Sequence, residues 1–167
     1  MKKLSLGLLV VCLVTLHQFT WPGAWGRVFA IEVHGDALAK PLVITDSSTV
    51  DGLSFWVGPG TGYSEFMGPV NLELSIVDWD RGEAAKRPKG LASYEVRFLL
   101  EPRDDPPAYT ILYEPDPDND SGYIYYPANR NSIVTHGVDG PWRYASLRWN
   151  DKVGAAISEY LQDYSAQ

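Results

Sequence analysis

The sequence predicts an α+β fold: a twisted antiparallel sheet of four to six strands with one C-terminal amphipathic helix packed on one face. Three observations carry this. Several short stretches alternate apolar and polar residues, short Pro-, Gly- and Asp-rich turns separate them, and only the last stretch changes to helical spacing. Strands joined by short turns pair as antiparallel neighbours, and a one-sided helix after one-sided strands packs across their sheet.

In chain order, Val28–His34 places Phe29, Ile31 and Val33 on one side and Glu32 and His34 on the other. Short apolar runs follow at Pro41–Asp46 and Val50–Val57, the second closed by the glycine cluster 58–62. That cluster lacks the Lys-Ser/Thr ending of a P-loop and the spacing of a dinucleotide fingerprint, so it reads as a turn. Val70–Asp78 alternates cleanly, with Val70, Leu72, Leu74 and Ile76 on one face, and predicts a half-buried strand. In 79–91 the basic residues Lys86, Arg87 and Lys89 are offset by Asp78, Asp80 and Glu83 nearby, which predicts a solvated loop. Ser93–Glu101 repeats the strand pattern through Tyr94, Val96, Phe98 and Leu100, and the 102–107 turn leads into a hairpin formed by Ala108–Glu114 and Gly122–Pro127. After a polar stretch at 129–140, Trp142–Trp149 reads as a last edge strand. Asp151–Tyr164 is the helix, with Val153, Ile157, Tyr160, Leu161 and Tyr164 in one stripe and Asn150 as its N-cap.

The N-terminus differs from the rest. Lys2 and Lys3 precede an apolar run, Leu4–Leu16, in a 167-residue chain that otherwise has ordinary globular composition. This is the layout of a secretory signal peptide over residues 1–30, with small residues placing the cut after Gly26 or after Ala30, and a single domain over 31–167. The alternative is retention of the run as an uncleaved signal anchor. The export signal places the domain in the periplasm, on the cell surface or in the medium. The single cysteine, Cys12, lies inside the apolar run, so a mature chain has no disulfide, cysteine nucleophile or thiolate metal site. All 21 acidic residues follow residue 30, whereas Lys2, Lys3 and Arg27 precede it; removing those three of 14 basic residues leaves 11, a net charge of −10. So acidic a surface repels phosphate backbones and anionic lipid, which argues against nucleic acid or a membrane as partner.

The hairpin holds the densest chemistry. Asp116, Asp118 and Asp120 stand at alternate positions, as in the first half of an EF-hand loop, but Ser121 replaces the glycine and Pro127 the bidentate glutamate. Two readings stay open: a calcium loop that rigidifies the hairpin, or a plain turn built from turn-forming residues. Pairing across a seven-residue turn sets Tyr113 opposite Tyr123 and Ile111 opposite Tyr125, which gathers Tyr109, Tyr113, Tyr123 and Tyr125 on one face. Those rings are then either an exposed platform for a glycan or a protein partner, or part of the core. For catalysis, a base can be built from His136 with Asp139 as its orienter and Ser132 or Ser146 as nucleophile, and among 21 acidic residues some pair suited to glycoside cleavage is inevitable. No Gly-x-Ser-x-Gly or His-Glu-x-x-His motif accompanies it.

The succession Tyr94-Glu95-Val96-Arg97-Phe98, Tyr113-Glu114, Gly122–Pro127 and Trp142…Ala145-Ser146…Trp149 resembles small exported or membrane-tethered bacterial proteins of no assigned function. The resemblance spans residues 93–150 and implies no activity. The expectation is therefore a non-enzymatic binding or interaction module outside the cytoplasm, with the aromatic hairpin face as its site. The alternative is a small hydrolase centred on His136 and Asp139.

Overall fold

A computed structural model describes residues 28–54, 71–100, 107, 109–127 and 141–166. The apolar run 4–16 with Cys12, the glycine cluster 58–62, most of the 102–107 turn, and the 129–140 stretch with Ser132, His136 and Asp139 lie outside the described residues.

Six strands form an open sheet: β1 (Val28–His34), β2 (Leu42–Ile44), β3 (Tyr94–Leu100), β4 (Tyr109–Asp116), β5 (Ser121–Tyr125) and β6 (Arg143–Tyr144), in the order β2-β1-β3-β4-β5-β6. Every neighbouring pair is antiparallel. One helix packs on this sheet, so the α+β expectation holds.

The alternation in β1, β3 and β4 sends Ile31, Val33, Tyr94, Val96, Phe98, Tyr109, Ile111 and Tyr113 to the helix side, all buried. A bulge between Val28 and Ala30 shifts the β1 pairing by one residue; beyond it the register is regular, so Ala30 and its partner Leu99, both buried, lie on the face opposite Ile31 and Phe98. The strand also crosses the 30/31 boundary that the sequence places at the start of the domain. Further along, that second face of β1 and β3 carries charged, part-exposed pairs, with His34 beside Glu32 (3.4 Å) and Arg97 beside Glu95 (2.6 Å).

Of the strand expected over Val70–Asp78, the described residues 71–78 form none. Asn71 Oδ1 accepts the backbone N–H of Glu73 and winds Leu72–Leu74 into a 3₁₀ turn that leaves Leu72 half exposed. Ser75, Ile76 and Val77 are then buried consecutively, and only isolated bridges join this segment to its neighbours. Similarly, Asp46 ends the run after β2 by capping a four-residue helix, α1 (Ser47–Val50). Hydrogen bonds from Thr49 and Ser48 pull its carboxyl to about 2.

The C-terminal helix, α2 (147–165), starts four residues before the sequence places it, because Ser146 rather than Asn150 is the cap: its Oγ accepts the Trp149 N–H. The edge strand expected over Trp142–Trp149 shortens to Arg143–Tyr144 for the same reason. The first turn of α2 leads into a π turn, Asn150–Gly154, and then into Ala155–Ser165. Trp149, Val153 and Ile157 are its buried stripe, and Tyr160 and Leu161 pack at the margin, while Tyr164 lies exposed. Burying side chains of this size is worth about 1.5–3 kcal/mol each.

Tyr113 joins the two layers. Its hydroxyl donates to Asn150 Oδ1 (3.0 Å), and its ring meets the edge of Trp149 at 5.6 Å and 83°. Two glycines make room: a Cβ on Gly122 would fall 2.6 Å from both Tyr113 Cε2 and Asn150 Oδ1, and one on Gly154 would fall 2.7 Å from the Tyr113 hydroxyl. Gly122→Ala is therefore expected to lower stability by about 1–3 kcal/mol through overpacking. Urea unfolding checks this, with a lower midpoint and an unchanged slope as the expected result.

Candidate functional site

The hairpin register differs by one residue from the expected pairing. Leu112 faces Tyr125, Tyr113 faces Ile124, Glu114 faces Tyr123 and Asp116 faces Ser121. The strands run further into the turn than the sequence indicates, leaving Pro117–Asn119 as a 3₁₀ turn closed by Asp120 in the left-handed region (φ 46°). A slip of one residue turns every β5 side chain to the opposite face. The four tyrosines consequently do not share a surface. Tyr109 and Tyr113 are buried beneath α2, with Tyr109 packed on Tyr126 at 5.6 Å, whereas Tyr123 and Tyr125 lie on the outer face with Leu112, Glu114 and Asp116. Burial pushes the Tyr109 and Tyr113 phenols well above their ordinary pKa.

The outer face is a built arrangement. Tyr123 packs on Tyr144 (5.5 Å between centroids, planes tilted by 44°) and Tyr125 on Trp142 (5.3 Å, 36°). The 78–90 segment crosses this face, hydrogen-bonded to the β6 edge by Asp78 N–H to the Tyr144 carbonyl (2.9 Å) and Ala84 N–H to the Trp142 carbonyl (2.8 Å). It lays the Arg81 guanidinium 3.6 Å from the centre of the Tyr144 ring and that of Arg87 4.0 Å from the centre of the Trp142 ring. Arg87 also donates to Glu114 Oε2 at 2.8 Å. This segment is the largely exposed loop that its balanced charges predict, and through these contacts it also acts as a strap. Its two arginines were missed as site residues, and the signal that could have found them is an Arg pair in a segment flanked by aromatic strands.

Beneath the strap, Glu114 and Asp116 are buried polar groups. Asp116 Oδ2 accepts from the Tyr123 hydroxyl (3.3 Å) and from Asn119 Nδ2 (2.9 Å). Burial raises the pKa of Glu114, against the pull of Arg87 and the Ser93 hydroxyl. Burial and the adjacent Asp116 raise that of Tyr123.

Asp116 therefore faces inward into hydrogen bonds, while Asp118 and Asp120 are exposed in the turn. Among the described residues no group of three or more His, Cys, Asp or Glu side chains comes together. His136 and Asp139 fall outside the described residues, so the structure brings nothing to them. The face is suited to non-covalent recognition: flat rings held edge by edge, with guanidinium donors fixed over them. Comparison with protein-family models, curated proteins and solved structures found no match to this chain.

The Arg87–Glu114 pair carries a pH signature. The pKa of Glu114 is raised in the folded state, so the stability this group contributes is fully present below its unfolded pKa and is lost as pH rises through the folded one. Removing Arg87 leaves a buried carboxylate unpaired. Arg87→Ala is expected to cost about 1–3 kcal/mol at pH 7, and less as the pH falls and Glu114 takes a proton. Adding Glu114→Gln should recover most of that loss at neutral pH. Denaturant melts of the two variants across pH check it, and any deficit remaining at low pH measures the lost Trp142 stack.

Proposed function

We propose that the chain is an exported, non-enzymatic binding module, and that the arginine-capped aromatic face of β5 and β6 is its contact surface for a glycan. The observation that carries this reading is the two pairs of packed rings, Tyr123–Tyr144 and Tyr125–Trp142, in which Tyr125, Trp142 and Tyr144 keep part of their surface in water. A sugar ring offers one flat apolar face and a rim of hydroxyls. Half-exposed aromatic rings match the first, and guanidinium groups oriented by their own stacking supply donors for the second. The strap already fixes both arginines, so little rotamer freedom is left to lose on binding.

The test is retention on an array of immobilised oligosaccharides. The wild-type chain is expected to be retained by at least one glycan class, and Tyr125→Ala to lose about tenfold or more in affinity with its melting temperature preserved. Failure of the wild-type chain to bind any array member, or full retention by folded Tyr125→Ala, would count against this surface.

Export is supported by the basic start and short apolar run, and the pairing of β1 favours the cut after Gly26 over the one after Ala30. A cut after Ala30 would remove Val28, Phe29 and the buried Ala30 together with the Val28–Leu100 pairing, whereas a cut after Gly26 leaves the strand whole. Mass spectrometry of the secreted chain should find Arg27 at the N-terminus; a start at Ile31 would contradict this account of β1.

A further inference from the structure

A second surface stands apart from the aromatic face. A cleft of about 420 Å³ opens where the 3₁₀ turn Leu72–Leu74, the 77–80 segment and the first turn of α2 meet. Two large apolar side chains border it in water, Leu72 at 50% and Leu147 at 69% exposure. Both occupy the same structural position, the first residue after a capping side chain: Asn71 caps the turn that begins with Leu72, and Ser146 caps the helix that begins with Leu147. At that position the backbone N–H groups point outward, so polar or acidic side chains are favoured and a leucine adds nothing to the fold. The Arg148 guanidinium reaches the Glu73 carbonyl at 3.4 Å and holds the two capped turns side by side. Trp79, whose indole N–H is tied to Ser75 Oγ (2.8 Å), lines the cleft with them. Among the described lining residues, Glu73, Asp78 and Asp80 stand against one cation, Arg148.

We infer that this cleft docks a cationic protein segment carrying a leucine-class anchor: the anchor sits between Leu72, Leu147 and Trp79, and flanking lysine or arginine side chains meet the three carboxylates. Charge selects among the occupants. A second copy of the chain would bring a net charge of −7 to an acidic rim, and an anionic lipid surface would be repelled in the same way. A basic partner is attracted, and burial of the paired leucines supplies the non-directional part of the affinity.

The experiment titrates the full chain against a fluorescein-labelled peptide of leucine and lysine, with a leucine–glutamate peptide as the control, read by fluorescence anisotropy. Saturable binding of the lysine peptide, weakened by added salt and absent for the glutamate peptide, is expected. Leu147→Asp puts an acidic residue at the first helical position, where it favours the helix, so its melting temperature should hold or rise while lysine-peptide affinity falls about tenfold or more. Leu72→Asp is the second variant, with the same expectation in the other capped turn. Tyr125→Ala should bind the lysine peptide like wild type, which separates this cleft from the aromatic face. The proposal is overturned if wild type shows no saturable binding, if the glutamate peptide binds equally, or if both folded aspartate variants keep wild-type affinity.

Discussion

Tyr113 sits with its ring between sheet and helix, and the rest of the described architecture depends on that contact. A buried phenol left without an acceptor would cost about 1–3 kcal/mol, so the helix must offer one at the right depth. Asn150 does so from within the π turn, and Gly154 at the end of the same turn removes the side chain that would collide with the hydroxyl. Gly122 clears the third side from β5. Trp149, fixed one residue before Asn150, then reaches both Tyr113 and Phe98, so one anchored ring sets how the helix lies over β3, β4 and β5. The π turn thus has a local cause: it belongs to the segment through which the helix grips this ring.

The outer face follows from the same constraint by parity. With Tyr113 and Ile124 directed to the helix, their neighbours Glu114 and Tyr123 must point away, and Leu112 and Tyr125 with them. That half of the sheet would otherwise set apolar rings and two carboxylates together against water. The strap resolves the conflict, because one arginine can lie flat on an indole and neutralise a carboxylate at once, as Arg87 does between Trp142 and Glu114. A lysine could not stack and pair in this way. By anchoring to β6 the strap also satisfies backbone groups that an edge strand would leave open. Toward β1 the outer face carries the charged pairs of Glu32 with His34 and of Glu95 with Arg97.

Much of this fold is legible in the sequence. β1, β3 and the C-terminal stripe follow from periodicity because their neighbours are apolar on one side only, the condition under which periodicity reports burial. Val70–Asp78 fails because alternation is not itself a hydrogen-bond pattern: Asn71 takes a backbone N–H with its side chain and a 3₁₀ turn results. The helix start is misplaced for a related reason, since Ser146 and Asn150 are both competent caps and only packing of Trp149 decides between them. The hairpin error is of one residue, yet it redistributes the tyrosines between core and surface. Turn length alone could not reveal it, because Pro115 and Asp116 read as turn formers while they serve as the last residues of β4. For the candidate site, the aromatic content was legible, but the arginines that organise it come from a distant segment with no periodic signal.

The two surfaces differ in what holds their side chains in place. On the aromatic face each ring has a neighbour within the molecule, so its arrangement serves the fold first and a ligand would add to contacts that already exist. At the cleft, Leu72 and Leu147 face water at positions where local preference runs against them. Two neighbouring capped turns thus each set a leucine in water at the position where a polar residue is favoured. Departures from local preference that bring no gain in folding are the pattern expected of residues kept for contact with something else. An acidic rim around an exposed apolar pair also binds differently from a stacked face: its charges govern the approach of a basic segment and its leucines govern how long that segment stays.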